Sequence, residues 1–451
     1  EKAGRIGPDL RVGADITKAA SLKANARVAS RGVQLMGSGF IVTPDQAQRL
    51  DPRSLAIARG EDDTPPRIRS GTGDEPQVIF DYRNGKDLTA RPRGVMVIDT
   101  YGLTETELRD RHPAVWQHLD SEVRPQRDGQ AAKSKTNDAQ AYARDWWLFG
   151  KTRPEIRKAL RGCERYIATV ETAKHRVFQF LPIATVPDNM VVAIASADAF
   201  DLGILSSRFH VPWALASGAR MGMGDDPRYS KSRCFDPFPF PAGVPEPLAN
   251  TVRTEAEALD ALRKSVLAEH DDLTLTKLYN VLEALRSGRA LTDIERDIHD
   301  RGLVTLIRRH HDAIDAAVAE AYGWPADLSE EEILTRLVAL NRERATEESR
   351  GLIRYLRPEF QDPGYQVPIN ERLDLGEPAA PLPDNIIAWP KDLPAQIGAV
   401  QSILSGSPEP LAAQDIARAF KGKRAATIRP VLDALAGVGL ARRTGEGKYA
   451  A

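Results

Sequence analysis

The sequence predicts an α+β protein: a mixed α/β module, then a helical subdomain, then a small winged-helix-like domain. Three observations carry this. Residues 1–242 alternate short apolar runs closed by Gly, Asn or Pro with occasional helical stretches, which argues against a doubly wound sheet. Residues 249–360 repeat apolar side chains every three or four positions. Residues 395–451 read helix, helix, helix, then a basic hairpin.

Domain boundaries follow from composition. Residues 1–143 form a connector and the first part of the α/β region, and 144–248 form its core. The helical subdomain spans 249–360, a proline-containing linker 361–394, and the last domain 395–451. In the first stretch, LMGSGFIVT (35–43), PQVIFDYRNG (76–85) and GVMVIDTYG (94–102) read as strands. TETELRDRHPAVWQHLDSEVRPQRD (104–128) turns helical, with Thr104 and Glu107 spaced as a capping box. Residues 129–140 are small and polar and read as a mobile loop.

In the core, RPEIRKALRG predicts a short helix, while RYIATVET, HRVFQFLP and VPDNMVVAIAS predict strands. DAFDLGILSSRFHVPWALASG reads as one helix. Pro237, Pro239, Pro241, Pro245 and Pro247 then exclude a regular element and predict a rigid extended connection. In the helical part, Ser329 and Glu332 make a second capping box. No sustained heptad is present, so packed helices are expected rather than a coiled coil. In the last domain, Ile428, Val431, Leu432 and Leu435 form the buried face of the third helix, and Gly445 and Gly447 the turn of the wing.

Composition limits the function. The chain has 451 residues, with 62 Lys plus Arg against 63 Asp plus Glu, for a net charge of -1. A uniformly basic coat protein is excluded; a local basic face is not. Two cysteines, Cys163 and Cys234, and eight histidines leave no metal-knuckle spacing and no disulfide framework. A reducing, cytoplasmic location is expected, with no metal and no membrane span. The opening EKAGRIGPDLR has no signal region and no initiating Met, and reads as an interior cut of a longer polypeptide.

No HExxH, CxxC, Walker A or GxSxG motif occurs. Thr64-Pro65-Pro66-Arg67 and Asp236-Pro237-Phe238 approach an Asn/Asp-Pro-Pro-aromatic loop without completing it. No catalytic and no cofactor-binding residue is therefore assigned. Basic clusters are present instead. Nine Lys/Arg face four acids between Arg144 and Arg176, and five face two between Arg208 and Arg233. Seven face two between Lys421 and Lys448. Such side chains on loops can hold phosphates or reach guanine edges, although basic runs are also ordinary solvated faces. Asn84-Gly85 permits a positive-φ turn that projects Arg83 and Lys86, with Arg91 and Arg93 beyond it. Trp146, Trp147, Phe149 and Trp213 read as core, Cys163 and Cys234 as small buried hydrophobes, and Glu171–Lys174 as a surface pair. His175 and His210 suit either a structural role or base contact.

RYIATVETAKHRVFQFLP, VPDNMVVAIAS, LGILSSRFHVPWALASGARMG and DPRYSKSRCFDPFPFP resemble the target-recognition region of large adenine-N6 DNA methyltransferases. These are the type IIL restriction-modification enzymes and their relatives in phage defence. GPDLRVGADITKAASLKAN, SRGVQLMGSGFIVT, YRNGKDLTARPRGVMVID and WWLFGKTRPEIRKAL resemble the stretch after the catalytic loop of such proteins. The resemblance is specific over 1–242 and weaker over 250–360.

It implies that a preceding segment carries the class I fold, the S-adenosylmethionine pocket and the base-methylating loop. This chain would then be the non-catalytic part that reads double-stranded DNA and steadies it while the adenine is flipped. Arg220, Arg228 and Lys231, then Lys174, His175 and Arg176, are expected to read bases. Arg83, Lys86, Arg91, Arg93, Arg165, Arg208 and Arg233 are expected to hold phosphates. Phe235 to Pro241 resembles a structural seam. The expected partners are DNA, the methyltransferase domain and other defence proteins. The alternatives are a specificity or scaffold subunit acting in trans, and a regulator that binds through 395–451.

Overall fold

The computed structural model describes residues 16–450 except 73, 221–226, 365–387, 391, 406, 408–409, 422, 438–439 and 445–447. The interior of the Ser217–Ser232 loop, most of the linker and the expected turn at Gly445 and Gly447 lie outside the described residues. The chain divides into two compact units, residues 1–365 and 366–451.

Eight strands build two sheets in the first unit. They are β1 (Ala29–Arg31), β2 (Ile41–Val42), β3 (Ile79–Arg83), β4 (Met96–Ile98), β5 (Arg165–Val170), β6 (Gln179–Pro182), β7 (Thr185–Pro187) and β8 (Val191–Ile194). One sheet runs β1-β8-β5-β6 and is wholly antiparallel, with Ile167 opposite Ile194. The other runs β2-β4-β3-β7, and its β3–β7 pair is parallel. Strand β5 reads as a nearly continuous apolar run because both of its faces are covered: Tyr166, Ile167 and Ala168 are fully buried. Consecutive strands β7 and β8 belong to different sheets, so the turn at Asp188 ties the two together. The Asp188 carboxylate accepts from Tyr82 Oη at 2.7 Å and from the Met190 amide at 2.9 Å.

Helices cover these sheets. Both expected capping boxes form, Thr104 with Glu107 and Ser329 with Glu332. Residues 129–140 differ from the loop expected of them. Helix Arg124–Lys133 runs through its first five residues, and Asn137–Arg144, which takes in its last four, starts from a Thr136 cap. Arg127 holds the corner: it is 1% exposed and its guanidinium donates to five main-chain carbonyls, of Leu35, Met36, Tyr142, Asp145 and Trp146. The single helix expected over 198–218 is two, Ala199–Ser206 and His210–Ser217. Ser207 makes the break, because its hydroxyl donates back to the Ile204 carbonyl at 2.7 Å and accepts the Phe209 amide at 3.2 Å.

The long helices Glu246–Glu269, Leu275–Arg286, Val304–Ala321 and Glu330–Ser349 share one hydrophobic cluster with the sheets. The Phe-Pro string is the seam between them. Phe235 and Phe238 are fully buried, and buried Asn25 donates to the carbonyls of Phe235, Asp236 and Phe238. Asn341, on helix Glu330–Ser349, clasps Ala20 through both its amide atoms and donates to Pro237 O at 2.6 Å.

The second unit has its own core. Helices Leu393–Ser405, Ala413–Arg418 and Ala425–Gly437 precede β11 (Arg442–Arg443) and β12 (Tyr449–Ala450), while β9 and β10 are the hairpin strands of the first unit given below. Leu411 bridges Tyr449, adding a third extended segment beside the two short strands. Ile428, Val431, Leu432 and Leu435 face inward, none more than 5% exposed.

Candidate nucleic-acid interface

A short hairpin leaves the first unit at Gly218. Its strands are β9 (Ala219–Arg220) and β10 (Pro227–Arg228), with Arg220 opposite Pro227. Gly218 is required because a Cβ there would sit 2.6 Å from the Arg228 carbonyl oxygen. The hairpin is fastened to the end of β5: Thr172 bridges Arg228, and the Tyr229 amide donates to Glu171 O at 2.7 Å.

Beneath it lies a rigid polar base. Arg176 is 6% exposed, and its guanidinium donates to Thr169 Oγ1 and to the carbonyls of Val170, Glu171 and Pro227. Burial lowers its pKa to about 10. Arg176 was expected to read bases; here its donors point inward and pin the hairpin. His210 is fully buried with Nε2 3.0 Å from Tyr229 Oη. Burial, reinforced by Arg176, drops its pKa to about 3, so it is a neutral packing residue. Trp213 is fully buried, as expected, and donates to Cys234 O at 3.1 Å.

Above this base, Glu171 departs from the expected surface pair with Lys174. It is 2% exposed, and its Oε1 accepts from both Arg31 Nη2 and Arg228 Nε. Both arginines leave about a third of their side chain in solvent, 36% and 34%. Arg153 completes a trio. Burial lowers the Arg31 pKa, and the Arg228 and Arg153 guanidiniums lower it further. Arg153 stands in the left-handed region at φ 56°, immediately before Pro154, and donates to Gly32 O at 3.1 Å. A non-glycine residue held there costs on the order of 1–3 kcal/mol, a strain that concentrates at functional sites. Two guanidiniums thus share one sealed carboxylate, with that of Arg153 close enough to act on Arg31, and such planar forks suit an anion or a base edge.

The other expected residues separate into groups. Lys174 and His175 lie two and three residues beyond Thr172 and share one acceptor, Asn280 Oδ1, at 2.6 and 2.8 Å. Lys231 is 3.8 Å from Asp236 on the turn after the hairpin. Arg233 is exposed and has no acceptor among the described residues. Only the backbone of Arg220 is described. Asn84 caps helix Gly85–Thr89 at φ -103°, so Asn-Gly starts a helix here rather than a positive-φ turn. Lys86 is exposed beside it, and Gly85 packs on Val170, next to Glu171. Arg83 turns to its neighbour's carbonyl, Tyr82 O, at 3.2 Å. Arg93 is held by Asp87, Arg91 by Asp271, and Arg165 by both oxygens of Glu257 with its guanidinium over Phe180. Arg208 donates to the carbonyls of Ala326 and Leu328 and braces the helical part. Among the described residues no group of three or more His, Cys, Asp or Glu could hold a metal ion, and no helix is long and apolar enough to cross a membrane.

Arg31, Arg153 and the role of Glu171 escaped the sequence reading. Arg31 and Arg228 lie 140 and 57 residues from Glu171; the β1-β8-β5 order brings in the first and the Thr172–Arg228 bridge the second.

Three similarities bear on this region. Residues 103–242, which contain the hairpin and its base, match the family model described as MmeI, target recognition domain. DNA methyltransferase A of Bacillus subtilis (strain 168) is 29% identical over 160 residues, which are 35% of this chain and 15% of that protein. The type IIL restriction-modification enzyme MmeI, solved in complex with DNA, shares the fold with a TM-score of 0.54 at 17% identity, over 77% of this chain and 39% of MmeI. The chain thus spans well under half the length of either relative.

Proposed function

We propose that the first unit recognises a specific sequence in duplex DNA and positions it for adenine-N6 methylation in a restriction-modification or phage-defence system. The chain acts as the non-catalytic part, and S-adenosylmethionine is bound by a methyltransferase domain outside it. The observation that carries this reading is the hairpin Ala219–Arg228, pinned by Arg176 and flanked by the Arg31–Arg153–Arg228 trio, inside the stretch that matches a target recognition domain. Arg220, Arg228 and Lys231 reach base edges; Arg31, Arg153, Lys86 and Arg233 position phosphates. Lys174 and His175 approach the same duplex from the strand end that carries the hairpin. Arg176 supports the reader without touching DNA.

The test is selection from a pool of duplexes with a randomised core, using the full chain. A recurring word is expected. Arg228→Ala and Lys231→Ala should each relax one position of it, since a good base contact discriminates by about 1–3 kcal/mol. Recovery of DNA with no enriched word refutes the proposal.

A further inference from the structure

The second unit carries a charged surface that target recognition by the first leaves unused. Between Leu411 and Ala450 the cations Lys421, Lys423, Arg424, Arg429, Arg442 and Arg443 are all exposed. None has an ion-pair partner among the described residues. Helix Ala425–Gly437 has no acid in its first turn. Its single acid, Asp433, accepts the Tyr449 hydroxyl at 2.5 Å, a bond that couples the helix to the wing. Arg429 from the helix and Arg443 from the wing both bear electrostatically on that hydroxyl, and the Arg443 guanidinium lies 5.9 Å from the Tyr449 ring centroid. Helix and wing therefore present their cations around one point.

The chemistry of this face selects its ligand. Its aromatic side chains are turned inward: Phe420 and Tyr449 are each 2% exposed, and Trp389 packs on Phe420. A surface for single-stranded nucleic acid would present rings for bases to stack on. The described outward positions of the helix are Thr427, Arg429, Pro430, Asp433 and Ala434, a poor set for reading base edges. The remaining cations lie just before the helix and on the wing, where they suit a phosphate backbone.

We propose that the second unit is a separate, sequence-neutral contact for duplex DNA, made to phosphates by Arg424 just before the helix, Arg429 within it, and Arg442 and Arg443 of the wing. It adds affinity to the full chain without adding to the word that the chain recognises. The proposal does not depend on the first unit reading bases.

The experiment measures binding of the full chain to random-sequence duplex between about 50 and 200 mM salt, a range over which phosphate contacts are strongly resolved. The variant combines Arg429→Gln, Arg442→Gln and Arg443→Gln. Each lost contact should reduce the slope of log affinity against log salt by about 0.9, so a fall of two to three is expected, with at least tenfold weaker binding near 100 mM. The Lys triple variant should keep most of the slope, because a phosphate contact needs charge rather than the guanidinium fork. An unchanged slope in the Gln variant overturns the proposal, as does equal competition by single-stranded DNA or RNA. Duplex selection separates the two readings. If the Gln variant keeps the enriched word but loses slope, both stand; if no word is enriched and the slope falls, only target recognition fails.

Discussion

Replacing Glu171 by Gln should move stability and DNA affinity in opposite directions. The substitution keeps the side chain's size and one carbonyl acceptor, but removes the charge that holds Arg31 and Arg228. A hydrogen bond to a charged group contributes about 1.5–3 kcal/mol, and a neutral one about 1. Both bonds end on Oε1, which in Gln is a neutral carbonyl oxygen that still accepts, so each bond loses the charge of its acceptor. Both arginines are a third exposed, so water recovers part of the difference. The net loss should be about 1–3 kcal/mol. With an unfolding entropy of about 2.1 cal/mol/K per residue, a unit of roughly 350 residues loses about 1–2 °C of Tm per kcal/mol.

The second effect has the other sign. Without the carboxylate, Arg31 and Arg228 lose the negative charge that Glu171 sets between them. Affinity for random duplex should rise several-fold at low salt, and the salt slope should steepen by up to about one. Thermal or urea unfolding reads the first effect, and a fluorescence titration reads the second. Unchanged stability would show that Glu171 does not secure the hairpin. Lower stability together with weaker DNA binding would refute the placement of the trio against DNA.

Two further predictions concern buried charge. Asp201 is buried and receives the Ser196 hydroxyl at 2.6 Å; burial, helped by the nearby Asp198, raises its pKa to about 7, while that hydroxyl, Arg253 and Arg357 pull the other way. The folded state therefore keeps this proton between about pH 4 and 7 when the unfolded chain has lost it, and stability falls as pH rises through that window. Asp201→Asn should flatten the fall, worth at most about 3 kcal/mol between pH 5 and pH 8, in urea titrations at those two values. A wild-type pH dependence in that variant would sink the assignment. Arg127→Met should cost about 3–5 kcal/mol by leaving five carbonyls without their donor, and a loss under about 1 would show that water or repacking replaces it.

Local signals in this chain carry local structure well. Two capping boxes, the apolar run of β5 and the inward face of helix Ala425–Gly437 follow from spacing alone. Errors arise where a residue's partner is remote in sequence. Glu171 and Lys174 are three apart and suggest a surface pair; the sheet order and the hairpin's bridge to Thr172 instead deliver Arg31 and Arg228 to the carboxylate. Asn84-Gly85 fits a hairpin turn, yet Asn84 Oδ1 accepts the amides of Lys86 and Asp87 and starts a helix. Residues 129–140 look like a loop because their apolar content is low, and what orders the adjoining corner is Arg127 bound to main-chain oxygens.

Charge counted along the sequence also overstates the electrostatic footprint. Between Arg144 and Arg176 nine cations face four acids, which suggests a strongly basic face. Yet Arg157 is buried against Asp99 at 2.7 Å, and Arg176 is spent on carbonyls. Arg144, Lys151 and Arg165 are paired with Asp145, Asp138 and Glu257. Of the other four, Lys158 and Arg161 are exposed on or just after helix Pro154–Ala159, with Arg161 donating to Ser70 O. Arg153 lies near Arg31, and Lys174, two residues past Thr172, bonds Asn280, while Thr172 bridges Arg228. In the second unit a cluster of similar density has almost no internal use, and its cations stay exposed. The first unit should therefore owe its binding more to a few oriented contacts and vary with DNA sequence, while the second should owe it to charge and vary with salt.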